Sequence, residues 1–129
     1  FEQSGGYALS ADGEDIIILG KDTEAAFYGV SYFKMMFSSF NGEKFYPVEI
    51  QDYASIDARG YIEGFYGSWT HEQRKSLMEF TRDVKMNLYV YASKTDAYHT
   101  SKWAELYPDD MLNQFKELVK LQEKNKTEI

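Results

Sequence analysis

The sequence contains no cysteine and only two prolines, and its acidic residues outnumber its basic ones by 21 to 14. The absence of cysteine excludes disulfide bonds and thiolate metal sites, and it fits either a cytoplasmic protein or a secreted bacterial one. The net charge of -7 argues against a nucleic-acid or anionic-membrane partner, because both require clustered lysine and arginine. No apolar run reaches the roughly 18 residues of a membrane-spanning helix, so no membrane span is predicted.

Aromatic residues are abundant, at 17% of the 129 residues, with 11 tyrosines and 9 phenylalanines. Rings buried in a core are the commoner reason for such a share, and the alternative is a surface that stacks flat ligands or sugars. The length suits one domain or parts of two. Because the chain begins with Phe1 and ends with residues typical of a further strand, we expect it to be part of a longer protein.

The first half of the sequence has the pattern β-β-α-β. Two strand-like runs on either side of an Asp-Gly turn signal predict a hairpin. A helix follows, with Asp22 or Thr23 as its N-cap and Asn41-Gly42 at its end. Residues 44–50 then form a predicted strand.

The second half has the pattern β-α-β-α, which predicts two parallel strands joined by a right-handed crossover. Thr70 and Gln73 have the spacing of a capping box at the start of the first helix. The predicted elements are strands at 58–64 and 87–93 and helices at 71–86 and 109–124. The nearly continuous apolar run in the second strand predicts a strand that is covered on both faces.

Apolar residues at helical spacing predict which face of each helix is buried. For the first helix these are Ala26, Val30, Phe33, Phe37 and Phe40. For the second they are Leu77, Phe80 and Val84, and for the third Met111, Phe115, Leu118 and Gln122.

Candidate chemistry lies at the carboxyl ends of the two predicted parallel strands, where ligands bind in β-α folds. Gly64 follows the first strand and Lys94 the second, so we expect them on neighbouring strand ends. Gly64 suits either the close approach of a ligand to the backbone or a tight turn that needs a positive φ. Lys94 is either a donor to a ligand hydroxyl or carbonyl, or a solvated surface lysine.

Glu63 and Asp96 each have two interpretations. A glutamate inside a strand could be catalytic, but Glu63 is more readily explained as a buried structural acid that is paired with a basic residue such as Arg59. Asp96 is either a loop cap or a site acid, and the sequence does not separate these two roles.

Adjacent Asp109 and Asp110 suggest the paired carboxylates of a glycosidase. They follow Pro108 at a helix start, however, where capping and the helix dipole explain them fully. His99 has no second histidine at a metal-ligand spacing, so no metal site is predicted.

Two stretches of the sequence, RGYIEGFYGSWTHEQR and NLYVYASKTDAYH, resemble motifs of glycoside hydrolase family 84. This family comprises β-N-acetylglucosaminidases, which include bacterial enzymes labelled hyaluronidase and the animal O-GlcNAcases. Its motifs read R-G-x-x-E-G-F-Y-G-x-P-W and, one β-α unit later, N-x-Y-x-Y-A-P-K-D-D-x-x-H. The upstream stretches AAFYGVSYFKMM and VEIQDYASIDARG resemble the end of the small α/β domain that precedes the catalytic barrel, so the resemblance covers nearly all of the chain.

The resemblance implies an α/β (α+β) fold made of two parts. Residues 1–55 would form the C-terminal part of the N-terminal α/β domain, its β-β-α-β tail. Residues 56–129 would form the first two β-α units of an incomplete (β/α)8 barrel, since a whole barrel needs about 250 residues.

The resemblance also implies an activity, the removal of terminal β-linked N-acetylglucosamine with retention of configuration. In the family the acetamido oxygen of the substrate attacks the anomeric carbon, an exception to the use of an enzyme nucleophile. The implied partner is a glycan or glycoprotein containing N-acetylglucosamine, the implied cofactor is none, and the expected location is extracellular or at the surface of a bacterial cell.

Four residues carry the implied sugar contacts. Gly64 matches the family glycine whose backbone contacts the sugar, and Lys94 matches the lysine that reaches its hydroxyls. Phe65 and Tyr66 match the aromatic pair beside them. The two catalytic aspartates of the family follow the fourth barrel strand and have no match in this chain, so no catalytic residue is predicted and the chain alone is expected to be inactive.

The chain departs from the family motifs at three points. Ser93 stands where the family has proline, Thr95 stands where it has aspartate, and Ser68-Trp69 lacks the proline between them. These departures keep open an alternative, a non-catalytic carbohydrate-binding or interaction module of a divergent homologue. Open barrel strands would leave apolar faces and unpaired edges, so we also expect self-association.

Overall fold

The computed structural model describes residues 2–40 and 46–127, and the order of their strands and helices confirms the predicted β-β-α-β segment followed by β-α-β-α. Within these residues no helix is both long enough and apolar enough to cross a membrane. The strands are β1 (Tyr7–Ala11), β2 (Ile16–Gly20), β3 (Val48–Asp52), β4 (Gly60–Glu63) and β5 (Leu88–Tyr91). The helices are α1 (Thr23–Ser39), α2 (His71–Asp83) and α3 (Asp109–Thr127).

The first three strands form an antiparallel sheet in the order β2-β1-β3, with β1 at the centre. Side chains alternate between the faces of a strand, so every second residue of β1 points to α1. Tyr7, Leu9 and Ala11 are each 1% exposed and form the core together with Tyr28 of α1. The Asp22 carboxylate caps α1 by accepting the Ala25 N–H at 2.8 Å, as one of the two predicted caps.

The last two strands form a parallel pair in which Gly60 lies opposite Leu88 and Glu63 opposite Tyr91. One face of this pair packs against the helices, and the Tyr91 ring contacts Phe115 of α3 at a centroid distance of 5.0 Å. The opposite face is open, with Ile62 60% and Leu88 45% exposed. The prediction that β5 is covered on both faces is therefore wrong, because the described elements cover only one face.

The buried face predicted for α1 is wrong toward the end of the helix, where Phe37 and Phe40 are exposed. The buried residues of α1 are Ala25, Tyr28, Gly29 and Ser31. A Cβ on Gly29 would lie 2.5 Å from the Ile18 side chain and 3.0 Å from the Tyr7 ring, so the helix lies close against the sheet at this glycine. This close approach sets which face of the helix is turned to the sheet. The hydrophobic pattern of the sequence alone does not predict that face.

The buried face predicted for α2 is wrong at two of its three residues, since Phe80 is 56% exposed and Val84 is exposed as well, whereas Leu77 is partly buried. Met78 and Arg74 are the buried residues of α2. Arg74 faces inward, where its guanidinium pairs with the Glu63 carboxylate, and this rotation of the helix leaves Phe80 on the outer side. On α3 the predicted face is confirmed, with Leu118 3% exposed and its neighbours on the stripe partly buried.

The predicted end of α2 is wrong, and two other predicted boundaries fall outside the described residues. The end predicted for α1 at Asn41-Gly42 lies outside the described residues, as does the first part of the strand predicted at 44–50. α2 ends at Asp83, three residues before the predicted end, because Lys85 takes a left-handed φ of 59° that cannot continue a helix.

Polar side chains join the antiparallel sheet to the segments around the parallel pair. The Lys85 ammonium lies 2.6 Å from a carboxylate oxygen of Asp52 and 2.8 Å from the Tyr7 hydroxyl. The Arg59 guanidinium donates to the Tyr28 hydroxyl at 3.0 Å. These contacts connect residues that are distant in the sequence, and they hold β4 and β5 in a defined position beside the first sheet.

Candidate functional site

The loops that follow β4 and β5 lie side by side, as predicted. The Ala92 N–H donates to the Glu63 carbonyl at 3.2 Å, and the Lys94 N–H donates to the Phe65 carbonyl at 3.2 Å. The strand pairing thus continues past both strands and brings the segment with Gly64 next to the segment with Lys94. We refer to the surface formed by Gly64, Phe65, Tyr66 and Lys94 as the strand-end surface.

Aromatic rings and one ammonium group are exposed on the strand-end surface. Tyr66 is 80% exposed and Phe65 is 46% exposed, so neither ring belongs to the core. The Lys94 ammonium lies over the Tyr66 ring at 5.1 Å from its centroid, a cation–π distance. The Phe65 ring packs on Trp69 at 5.2 Å, which holds it beside the strand end.

The conformation of Gly64 separates its two interpretations. The φ of Gly64 lies outside the left-handed region, and the glycine of this loop that needs a positive φ is Gly67, at 94°. A Cβ added to Gly64 would meet only the Ile62 side chain, at an ordinary contact distance of 3.4 Å. Neither backbone strain nor packing within the described residues therefore requires glycine here, which leaves space for a ligand beside the backbone.

Glu63 is a buried structural acid, which is the interpretation that the sequence favoured. Its partner, however, is Arg74 rather than Arg59. The Arg74 guanidinium binds both carboxylate oxygens, at 2.8 and 2.7 Å, in a side-by-side arrangement. The Tyr89 hydroxyl at 2.6 Å and the Trp69 N–H at 3.1 Å complete the set of donors.

Burial by itself would raise the Glu63 pKa, but the hydrogen bonds from Arg74, Tyr89 and the Trp69 N–H outweigh it and lower the pKa. The carboxylate is ionised, fully buried and surrounded by donors. It cannot act as an acid on a ligand, and its role is to fix the end of β4 against α2. Arg59 instead donates to the backbone carbonyls of Ile56, Asp57 and Lys85.

Asp96 accepts several hydrogen bonds that hold the loop after β5 together. Its carboxylate accepts the Tyr91 hydroxyl at 2.6 Å, the Tyr107 hydroxyl at 3.0 Å and the Tyr98 N–H at 2.8 Å. Burial opposes ionisation, but these hydrogen bonds lower the Asp96 pKa. With 7% exposure and every donor supplied by the chain itself, Asp96 acts as a loop cap.

Asp109 and Asp110 lie in the first turn of α3 and are exposed, as expected of residues that stabilise a helix N-terminus. His99 is also exposed. Among the residues that the structure describes, no three histidine, cysteine or acidic side chains are grouped closely enough to hold a metal ion.

Three hydroxyl groups beside Lys94 form a cluster that sequence reasoning missed. The Ser68 hydroxyl lies 2.8 Å from that of Ser93 and 3.0 Å from that of Thr95, and the last two are 3.2 Å apart. Ser93 and Thr95 stand at two of the departures from the family motifs, and Ser68 directly precedes the third, the missing proline. The signal was therefore present in the sequence, but only the fold brings the three positions together.

Comparison with protein-family models gives a match for each half of the chain. The model described as beta-N-acetylglucosaminidase matches residues 59–129, which contain both strand ends. The model for domain 2 of glycosyl hydrolase family 20 matches residues 1–53, which contain the antiparallel sheet and α1.

Curated relatives and solved structures are similar to parts or to nearly all of the chain. The protein O-GlcNAcases of Rattus norvegicus and Mus musculus are each 39% identical to it over 61 residues, which is 46% of this chain and 7% of each relative. The solved structure of CpGH84D is 42% identical with a TM-score of 0.83, covering 98% of this chain and 21% of that one. The structure of CpGH84B is 37% identical with a TM-score of 0.81, covering 97% and 22%.

A mutant of the Thermobaculum terrenum O-GlcNAc hydrolase is 41% identical over a shared fold with a TM-score of 0.51, covering 54% of this chain and 15% of that one. The chain thus spans about a fifth of the CpGH84 structures and a much smaller share of the curated relatives.

Proposed function

Since this chain belongs to the β-N-acetylglucosaminidases of glycoside hydrolase family 84, we propose that its strand-end surface binds the terminal N-acetylglucosamine of a glycan or glycoprotein. The observation that carries the proposal is the position of Lys94 beside exposed Phe65 and Tyr66 and the open backbone of Gly64. The protein to which this surface contributes would be a retaining β-N-acetylglucosaminidase.

Each group of the strand-end surface suits a sugar. An ammonium group has three N–H donors, which match the closely spaced hydroxyls of a pyranose ring. Exposed rings offer flat apolar faces to the C–H groups of the same sugar. At Gly64 an added Cβ would meet only the Ile62 side chain, at 3.4 Å, so a sugar can approach the backbone closely enough for a hydrogen bond to a peptide group.

The proposed reaction is substrate-assisted, with the acetamido oxygen of the sugar attacking the anomeric carbon. It requires one carboxyl group to polarise the acetamido group and a second to act as acid and then as base. Each acid discussed above has a structural role instead: Glu63 and Asp96 are buried and satisfied by donors, and Asp109 begins a helix. We therefore propose that this chain contributes sugar binding and that it is inactive by itself.

The test is hydrolysis of an aryl N-acetyl-β-glucosaminide by this chain and by a longer protein that contains it. We expect release of the aryl group by the longer protein and none by the chain, with the product retaining the β-configuration at early times when followed by NMR. A Lys94→Met change in the longer protein should raise KM more than it lowers kcat if Lys94 binds the sugar equally in the ground and transition states. Turnover by the chain alone would contradict the proposal.

A second candidate function is a carbohydrate-binding or interaction module without catalysis. The observation that favours it is the structural use of Glu63 and Asp96, the two acids nearest the strand ends. This candidate predicts that the chain binds N-acetylglucosamine and that the longer protein does not cleave the aryl glycoside. Calorimetry at millimolar sugar decides whether the chain binds, and the absence of heat would exclude this candidate.

We also propose that the chain self-associates through the open face of β4 and β5. Ile62 and Leu88 lie on this face and are both exposed. In a closed barrel the corresponding face is filled with packed side chains, so burial against a second copy would remove the same apolar area from water.

A further inference from the structure

The Ser68, Ser93 and Thr95 hydroxyls form a closed triangle that connects two loops. Ser68 belongs to the loop between β4 and α2, whereas Ser93 and Thr95 belong to the loop after β5. All three oxygen–oxygen distances, from 2.8 to 3.2 Å, are within hydrogen-bond range. Since each hydroxyl can donate one hydrogen bond and accept others, every member of the triangle can be satisfied by the other two.

The triangle has a buried base and an exposed edge. Ser93 is 0% exposed, so its hydroxyl depends on partners within the protein. Ser68 and Thr95 are exposed, and they cover Ser93 from the solvent side. A buried hydroxyl that loses a partner is costly, so the triangle constrains where both loops lie.

Lys94 lies between the two members of the triangle on the second loop. Its N–H is bound to the Phe65 carbonyl of the first loop, and the side chains on either side of it are bound to Ser68. The backbone of Lys94 is therefore held from both sides, which sets the direction in which its side chain leaves the backbone. Its ammonium reaches the Tyr66 ring, which belongs to the same loop as Ser68.

We infer that the Ser68, Ser93 and Thr95 hydroxyls are positioning residues that hold Lys94 against Tyr66 on the strand-end surface. All three departures from the family motifs lie at the triangle: Ser93 and Thr95 stand where the family has proline and aspartate, and Ser68 directly precedes the point where the family has a further proline. The consequence for sugar affinity rests on the proposed function, whereas the position of Lys94 can be tested without a ligand.

The first experiment reads the position of Lys94 by NMR in the sugar-free chain. The ε-methylene protons of a lysine over an aromatic ring shift upfield, and Tyr66→Leu identifies that shift for Lys94. We expect Thr95→Val to move the Lys94 signal toward that of a solvated lysine, and Thr95→Ser, which keeps the hydroxyl, to retain it. Lys102, whose ammonium lies 5.5 Å from the Tyr98 ring centroid, is an internal control that should not move.

Two further variants separate positioning from general loss of structure. Ser68→Ala removes a hydroxyl of the triangle from the other loop and should move the Lys94 signal in the same direction. Ser76→Ala removes an exposed hydroxyl on α2 and should leave the signal unchanged. An unmoved Lys94 signal in both Thr95→Val and Ser68→Ala would overturn the inference.

The second experiment measures affinity for N-acetylglucosamine by titration. We expect Thr95→Val to weaken binding by about threefold to tenfold, the effect of one hydrogen bond, and Thr95→Ser to restore it. In a Lys94→Met background, Thr95→Val should have no further effect because its action passes through Lys94. An equal loss with and without Lys94 would mean that the hydroxyls contact the sugar directly, which contradicts positioning.

The two experiments fail separately. If the unmodified chain binds no sugar but the Lys94 signal responds to Thr95→Val as expected, the triangle positions Lys94 and the proposed sugar site is wrong. If the chain binds sugar but the Lys94 signal does not respond, the sugar site stands and the inference about the triangle is wrong.

Discussion

At the scale of single residues, Gly60 and Gly64 lie at opposite ends of β4 and are glycines for different reasons. A Cβ on Gly60 would lie 1.8 Å from the Leu88 carbonyl oxygen, so the pairing of β4 with β5 excludes any side chain there. A Cβ on Gly64 would meet only Ile62, at 3.4 Å. The first glycine is required by the fold, whereas the described residues give no packing reason for the second, which fits its proposed role beside a ligand.

This difference leads to a paired prediction. Gly64→Ala should change the free energy of unfolding by less than about 0.5 kcal/mol, the usual range for a surface substitution, but weaken N-acetylglucosamine binding at least about tenfold. Gly60→Ala should destabilise the protein by about 1–3 kcal/mol or more through overpacking. Urea denaturation and sugar titration measure the two effects, and a Gly64→Ala chain with unchanged affinity would contradict the ligand interpretation.

The Glu63–Arg74 pair is the second residue-scale feature with a measurable consequence. Arg74→Met should cost about 3–5 kcal/mol of stability, because it leaves a buried carboxylate without its counter-charge. Lys75→Met is the matched control on the same helix, since Lys75 pairs with Glu72 at the surface and its loss should cost no more than about 1 kcal/mol. Urea denaturation measures the free energy of unfolding of both variants. An equal loss of stability in the two would contradict a larger contribution from the buried Glu63–Arg74 pair than from the surface Lys75–Glu72 pair.

The lowered Glu63 pKa also predicts a pH dependence. A carboxyl group whose pKa is lower in the folded state contributes stability above its unfolded pKa, and this contribution is lost as the pH falls through the folded pKa. The unfolded value is 4.5, so the loss should begin near that pH and grow below it. In Glu63→Gln, the loss of stability between pH 6 and pH 3 should be smaller than in the unmodified chain, and an identical loss would contradict the assignment.

At the scale of elements, local sequence determines where α2 begins, and tertiary contacts determine which of its faces is buried. Its start follows the sequence, with the Thr70 hydroxyl accepting the Gln73 N–H at 3.2 Å and the Gln73 side chain accepting the Thr70 N–H at 2.9 Å. The rotation of α2 about its axis does not follow from the sequence pattern, because Arg74 faces inward and Phe80 faces outward. Capping involves residues three positions apart, whereas the buried face depends on β4 and α3.

Thr70→Ala should therefore cost about 0.5–2 kcal/mol of stability, the usual effect of a lost N-cap. Thr70→Ser keeps a hydroxyl in the same position and should recover most of the loss. Urea denaturation at neutral pH measures both variants. A Thr70→Ala chain as stable as the unmodified one would show that tertiary contacts alone hold the start of α2.

At the scale of the whole molecule, two sheets are joined by polar contacts and the second sheet has an open apolar face. The Lys85 ammonium connects the two parts through Asp52 and Tyr7, although the non-glycine left-handed φ of Lys85 is unfavourable in itself. The face with Ile62 and Leu88 is the one that a barrel would fill. Its exposure is the physical basis of the proposed self-association.

Light scattering tests that proposal directly. The unmodified chain should form species larger than a monomer as its concentration rises, because association buries the apolar face. Ile62→Asp puts a charge on this face and should shift the chain toward a monomer. Ile56→Asp is the matched control, because Ile56 is 68% exposed but lies in the segment before β4. A monomer at all concentrations, or an equal effect of both changes, would contradict the proposal.

The sequence by itself determined the order of the elements, the capping box of α2 and the adjacency of Gly64 and Lys94, and it narrowed the cap of α1 to Asp22 or Thr23. All of these follow from patterns within a few residues or from the repeat length of a β-α-β unit. The motifs that predicted the family lie in the same strand-end segments, where the residue types are set by local geometry and chemistry.

Only the tertiary structure decided which partner each polar group found. Arg74 rather than Arg59 pairs with Glu63, Asp96 collects two tyrosine hydroxyls, and three hydroxyls at or beside the departures from the family motifs meet in one triangle. Such choices depend on distances between segments tens of residues apart, and the energy of a buried pair or a satisfied hydroxyl exists only once those segments have met. A linear pattern contains the residues that can form these contacts, but not the geometry that selects among them.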